Sequence, residues 1–155
     1  MSLVSNMPPN ISSPGLPSLV VLDASVWVSR TIRTDSNHAT ASHWIAQHLR
    51  ARGDFVVPLL FQVEIAAAIA RVTKDPVLAS RQVAQLRRLN AGRLLRFIPL
   101  NARLVKAATD LAINFGLRAA DAVYAALAQS LVIPLVTFDT ELLRLPSSTI
   151  TTIRP

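Results

Sequence analysis

Cysteine is absent from these 155 residues. That excludes disulfides, thiolate catalysis and cysteine-ligated zinc, and it fits a reducing, cytoplasmic setting. Long apolar runs are absent too: none approaches the roughly 18 residues that span a bilayer, so no membrane segment is expected. Residues 1–18 hold four prolines and no Lys or Arg, which is not the basic start and continuous apolar stretch of a signal peptide. They are expected to form a flexible, Pro-rich tail, with one domain over 19–155. Aromatic residues make up 5%, so any contact with nucleic acid rests on phosphate more than on base stacking. Acidic residues are few, nine against sixteen basic ones, giving a net charge of +7. Fourteen of the sixteen basic residues are Arg, whose planar fork binds phosphate bidentately. An anionic partner, nucleic acid in particular, is favoured.

The scarce acids are oddly placed. Asp23 ends the run Leu19-Val20-Val21-Leu22. Glu64 is the only charge between Leu59 and Ala70. Asp121 lies within Ala119-Ala120-Asp121-Ala122-Val123-Tyr124, and Asp139 follows Leu135-Val136-Thr137-Phe138. Burying an unpaired carboxylate costs on the order of several kcal/mol. Four of nine acids in core-like surroundings imply joint use. Hard oxygen ligands of this kind suit Mg²⁺ or Mn²⁺.

The pattern along the chain alternates strands and helices. Leu19–Leu22 predicts a buried strand and Ser25 caps a helix over about 26–33. Ala41, Trp44, Ile45, His48 and Leu49 share one face of a helix over about 38–51, with Gly53 beyond its end. Phe55–Val57 is a second strand. Pro58 precedes a helix to about Val72, apolar nearly all round and so expected to be buried. Asp75-Pro76 caps and starts a helix to about Asn90. Leu95–Pro99 is a third strand, and Asn101 caps a helix that Gly116 stops. A helix over Ala119–Ser130 and strands at Leu135–Phe138 and Thr149–Ile153 complete one α/β domain with a parallel sheet and helices on both faces.

In such a fold ligands bind along the carboxyl edge of the sheet, where the strand order switches. Asp23 and Asp139 come at strand carboxyl ends. Glu64 and Asp121 lie early in helices that run back against strands, so their starts face the same edge. All four can therefore meet. Their repulsion raises some of their pKa values unless a cation is present, and a divalent ion both relieves that repulsion and activates water against a phosphate.

The pieces Leu22-Asp23-Ala24-Ser25, Val63-Glu64-Ile65-Ala66, Ala120-Asp121-Ala122-Val123-Tyr124-Ala125-Ala126-Leu127-Ala128 and Val136-Thr137-Phe138-Asp139, in this order and spacing, resemble the PIN domain. The likeness is to VapC-type toxin ribonucleases of toxin–antitoxin pairs and covers about residues 19–153. It implies a sheet ordered 3-2-1-4-5, with Asp23, Glu64, Asp121 and Asp139 as the catalytic, metal-binding acids. Ser25 and Thr137 match the hydroxyl positions that support them. It further implies Mg²⁺ or Mn²⁺ dependence, RNA cleavage, homodimers and a cognate antitoxin protein. Abundant Ala- and Leu-rich helices also favour a dimer.

Each residue has a plainer reading. Asp23 and Asp121 suit helix starts, Asp139 suits the cap of a short helix containing Glu141, and Glu64 has Arg71 two turns away. Tyr124 reads as core. His38, His43 and His48 recur every five residues, which does not make one helical face, and read as surface or half-buried. Residues 71–106 carry nine basic residues and one acid; Arg81, Arg87 and Arg88 are candidates for contact with an RNA backbone. Two other functions compete: a non-catalytic RNA- or protein-binding module, and a phosphohydrolase that phosphorylates Asp23. The second commonly carries another Asp two residues on, where Ser25 stands here.

Overall fold

A computed structural model describes residues 17–155. The expected tail thus lies almost wholly outside the described residues. In order, the elements are β1 (Leu19–Leu22), α1 (Ala24–Thr31), α2 (His38–Arg50), β2 (Asp54–Pro58), α3 (Phe61–Thr73), α4 (Pro76–Ala91), β3 (Leu95–Ile98), α5 (Ala102–Phe115), α6 (Ala119–Leu131), β4 (Leu135–Val136), α7 (Thr140–Leu143) and β5 (Thr152–Ile153).

The sheet is all parallel in the order β3-β2-β1-β4-β5. Successive connections travel outward from β1 to β3, then return to β1's other side for β4 and β5. Right-handed crossovers therefore place the two sets of helices on opposite faces, with the switch point between β1 and β4. The register there pairs Leu22 with Val136, so the next residues on each strand, Asp23 and Thr137, emerge side by side. The core beneath them is continuous: Val20, Val21, Leu22, Phe55, Val57, Leu95, Leu135 and Val136 are fully or almost fully buried. Among the described residues no single helix is long and apolar enough to cross a membrane.

Local chemistry explains most boundaries. Asp75 accepts from Val77 N and Leu78 N, and Asn101 from Leu104 N, each supplying helix-start amides that have no intrahelical partner. Gly116 ends α5 at φ 67°, a conformation cheap only without a Cβ.

Several expectations are corrected. Helix α1 begins at Ala24 with Asp23 as its N-cap residue; Ser25 is inside the first turn because its hydroxyl is committed to Asp23. Helix α3 buries one face only: Phe61, Ile65 and Ile69 point inward, whereas Val63 is 70% exposed. Strand β4 stops at Val136, since Thr137 and Phe138 turn toward the α1 start. The left-handed residue after α2 is Arg52, φ 60°, not Gly53. Gly53 serves a different need: a Cβ there would lie 2.3 Å from His48 Cε1. His48 itself is fully buried, which overturns its surface reading; its aromatic neighbours conceal a ring whose polarity had suggested exposure.

Candidate active site at the carboxyl edge of the sheet

Asp23 is 5% exposed and receives two hydroxyl hydrogen bonds on one oxygen. Ser25 Oγ donates to Oδ2 at 2.5 Å and Thr137 Oγ1 at 2.7 Å. Both hydroxyls are themselves oriented by backbone amides. Phe138 N donates to Ser25 Oγ at 3.2 Å and Asp139 N to Thr137 Oγ1 at 2.9 Å. The loop after β4 is thus tied to the start of α1 through the Asp23 carboxylate. With Oδ2 so engaged, Oδ1 carries no side-chain hydrogen bond.

Glu64 sits at the start of α3. Tyr124, fully buried on α6, donates its hydroxyl to Glu64 Oε2. Burial and the adjacent Glu64 charge push the Tyr124 phenol well above its ordinary 10, so it is a neutral donor at physiological pH. Tyr124, read from sequence as packing, therefore also fixes one of the acids. The ion pair between Glu64 and Arg71 does not form, although both residues line the cleft.

Asp121 lies in the first turn of α6. Its Oδ2 accepts from Arg118 Nε at 2.8 Å, while Arg118 Nη2 donates to Asp139 Oδ2 at 2.7 Å. Asp139 also caps α7, its Oδ1 accepting from Glu141 N and Leu142 N, so the capping reading holds alongside its place at the site. Arg118 escaped sequence reading. Its one signal is a spacing of three residues before Asp121, one helical turn.

Asp23, Glu64, Asp121 and Asp139 all line one cleft of about 580 Å³, with Ser25, Asp35 and Arg118. Thr137 is buried behind Asp23. The acids feel one another. Burial raises the Asp23 pKa most, opposed by the two hydroxyls and reinforced by Asp121 and Asp139. Glu64 is raised chiefly by burial, against its Tyr124 bond, with added repulsion from Asp23 and Asp121. Asp121 is raised by burial despite Arg118, with Asp139 and Glu141 adding to the rise. Ionising these buried neighbours costs free energy, and a bound cation would relieve that cost.

The donor set suits a hard divalent ion: it offers carboxylate oxygens and neither thiolate nor imidazole. Oxygens of Asp121, Asp139 and Glu141 approach within 4.8 Å of one another. Glu141 was not among the residues singled out from sequence, because it sits in an exposed helical turn with an ordinary polar context. The basic candidates do not join this cleft. Arg81 and Arg88 line a separate concavity on α4, and Arg87 Nε reaches Gln62 Oε1 at 3.4 Å.

The family model for the PIN domain matches residues 20–147. No match is found among curated proteins. Among solved structures, the chain is similar to VapC20 of Mycobacterium tuberculosis, described as a sarcin–ricin loop cleaving toxin. Identity is 17% and the TM-score 0.71, over 88% of this chain and 99% of that one. It is also similar to VapBC2 of Rickettsia felis bound to a promoter DNA fragment, at 14% identity and TM-score 0.62, covering 88% and 98%. FitAcB of Neisseria gonorrhoeae matches at 19% identity and TM-score 0.59, over 86% and 95%. At such identities the likeness is one of fold.

Proposed function

The chain belongs to the PIN domain family, and from that premise we propose that it is a metal-dependent endoribonuclease, the toxin of a toxin–antitoxin pair. The observation that carries this reading is the meeting of Asp23, Glu64, Asp121 and Asp139 in one cleft, with three of their pKa values raised. A binding module has no use for carboxyls gathered in one cleft at the cost of burying them. A phosphohydrolase reading is less suited, because Ser25 spends its hydroxyl on Asp23 rather than acting as a second acid.

In this reading Asp23, Glu64, Asp121 and Asp139 hold Mg²⁺ or Mn²⁺. When bound, the ion supplies positive charge to the scissile phosphodiester and makes water a stronger acid. The protein's part is to aim the ligands. Ser25 and Thr137 fix the Asp23 rotamer through Oδ2 and leave Oδ1 without a side-chain hydrogen bond. Tyr124 does the same for Glu64. Hydrogen bonds of this supporting kind keep ligand geometry without adding charge. With no imidazole in the cleft lining, proton removal from the attacking water falls to a carboxylate or to solvent.

Apolar side chains left exposed, with Val63 70%, Ile113 75% and Val132 90%, support a homodimer or a protein partner. A toxin–antitoxin complex from Klebsiella pneumoniae among the similar structures supports an antitoxin as that partner. A reducing cytoplasm suits a chain without cysteine.

The test is cleavage of single-stranded RNA with and without Mg²⁺, comparing the parent with Asp23→Asn. Loss of about a hundredfold or more in rate is expected, since even supporting residues around a metal contribute about 10- to 100-fold. Equal cleavage by both proteins sinks the catalytic reading and leaves the binding module.

A further inference from the structure

Helix α1 separates two surfaces of opposite character. Its first turns present Ala24, Ser25 and Val28 to the acidic cleft. Its last turn presents Arg30 and Thr31 to a second cleft of about 480 Å³, which Arg33 and His38 also line. The two adjoin: Ser29 lines the acidic cleft, and its carbonyl lies 3.1 Å from His38 Nδ1. No carboxylate lines the second cleft. Among the described residues, neither Arg30 nor Arg33 is ion-paired.

The groove is built rather than incidental. The Arg30 guanidinium stacks over Trp27 at 4.7 Å from the ring centroid, which fixes its position. Across from it, Gln82 Oε1 takes Trp27 Nε1 at 3.2 Å and Thr31 Oγ1 at 3.3 Å. The carbonyl end of that amide is thus spent inward, and its NH₂ is the end available to the groove. Gln82 and Gln85 line the next concavity as well, where Arg81 and Arg88 join them. Arg81, Gln85 and Arg88 recur at helical spacing on one face of α4. Arg87 faces elsewhere, toward Gln62.

We propose that this groove, with Arg30, Arg33, Arg81 and Arg88 as its charges, binds the sugar–phosphate backbone of a single RNA strand that continues from the acidic cleft. The inference rests on the nuclease reading and assigns its substrate a path. The span fits: the eight residues of α1 extend about 12 Å at 1.5 Å per residue, room for three to four stacked nucleotides at about 3.4 Å each. Arginine forks match phosphate oxygens, and among the described residues the one aromatic ring lining the groove is that of His38, held against the Ser29 carbonyl. Recognition there is of backbone and not of sequence.

The probe is a fluorescent oligo-uridylate of about 12 nucleotides, bound in EDTA over a series of salt concentrations. Each phosphate contact removed lowers the log–log salt slope by about 0.7, so Arg33→Gln with Arg88→Gln should lower it by about 1.4. Both side chains are exposed, so this pair leaves the Trp27 packing intact. Arg30→Lys, which keeps the charge, should hold the slope; Arg87→Gln should leave it unchanged. Mn²⁺ affinity should be the parent's in every variant. A parental slope in the double variant overturns the proposal. So does equal displacement of the RNA by polyglutamate of matched charge from parent and variant alike, which points to an acidic protein segment elsewhere. If the slope falls as expected while the parent cuts no RNA in Mg²⁺, the groove stands and the nuclease reading fails.

Discussion

The two edges of the sheet each bury a titratable side chain, and they treat it in opposite ways. At the carboxyl edge Asp23 is surrounded by other acids and by hydroxyls that hold one of its oxygens. At the amino edge His48 has Asp54 as its one charged neighbour. It stacks on Trp44 at 5.1 Å and 11°, with Phe55 tilted at 4.8 Å. Its Nε2 meets the Asp54 carbonyl at 3.1 Å, and since a carbonyl only accepts, Nε2 carries the proton. Nδ1 is then a bare acceptor, buried without a partner. Burial alone does not make a site. What distinguishes Asp23 is company of the same charge opening on a cleft; His48 has aromatic faces and no opening, so its role is packing.

The largest way to break this contrast at the amino edge is Gly53→Ala. The new methyl would fall within 2.3 to 2.7 Å of three His48 ring atoms, and the ring, stacked on Trp44 and Phe55, has no room to retreat. Overpacking of this kind costs typically 1–3 kcal/mol, and about 3 kcal/mol is expected by urea unfolding. Mn²⁺ affinity of the folded protein should not change. A stability equal to the parent's would show that the sandwich yields.

Thr137→Val sharpens the other edge. The change nearly keeps the shape while removing the donor to Asp23 Oδ2 and the acceptor for Asp139 N. Metal affinity and cleavage should fall by about 10- to 100-fold, the usual effect of losing a ligand's support. An unaffected metal titration would mean that Ser25 alone fixes Asp23.

Arg118→Gln tests the charge balance at the same edge. Arg118 is the cation that bridges Asp121 and Asp139 in the fold, so it competes with a divalent ion for them. Exposed ion pairs are weak, and Mn²⁺ affinity should rise only about two- to tenfold in the variant. Weaker Mn²⁺ binding would instead make Arg118 an organiser of the ligands.

The sheet was readable because its strands are short apolar runs and its helices carry explicit starts and stops: Asp75, Asn101 and Gly116 act as their sequence context predicts. The four acids were readable for a related reason, since a charge inside an apolar run is costly without a use. Their partners were not. Arg118, Tyr124 and Glu141 have unremarkable local contexts, and their roles arise from contacts across the fold, such as Tyr124 to Glu64, sixty residues apart. His48 was misread although periodicity put it on the face shared by Trp44 and Ile45: its polarity was given more weight than that face, which Phe55 on another element covers. Glycine signals were half informative. Gly116 is there for its backbone angle, whereas Gly53 is there for the space His48 fills.

The smallest expected effect is also the one that sets the two edges directly against each other. Asp23, Glu64 and Asp121 have folded pKa values above their ordinary 3.8, 4.5 and 3.8. The metal-free folded state therefore binds protons more readily than the unfolded chain. The stability these groups contribute is present below those ordinary values and is lost as pH rises through the raised ones. His48 is lowered from its ordinary 6.5, mainly by burial. Its contribution is present above 6.5 and is lost as pH falls through the lowered folded value. Acidifying from neutral thus weakens the amino edge while it relieves the carboxyl edge. Each fully titrating group is limited to about 1.4 kcal/mol per pH unit, so the two edges contribute slopes of opposite sign in EDTA. Urea midpoints across pH separate them. Asp23→Asn should lose part of the gain on acidification, and His48→Phe should lose the early decline below 6.5. Mn²⁺ should turn the acid-edge gain into a loss, because protons then compete with the ion for the same oxygens. An acid-edge slope that Mn²⁺ leaves untouched would mean that the four carboxylates hold no metal, and the contrast between the edges would reduce to packing.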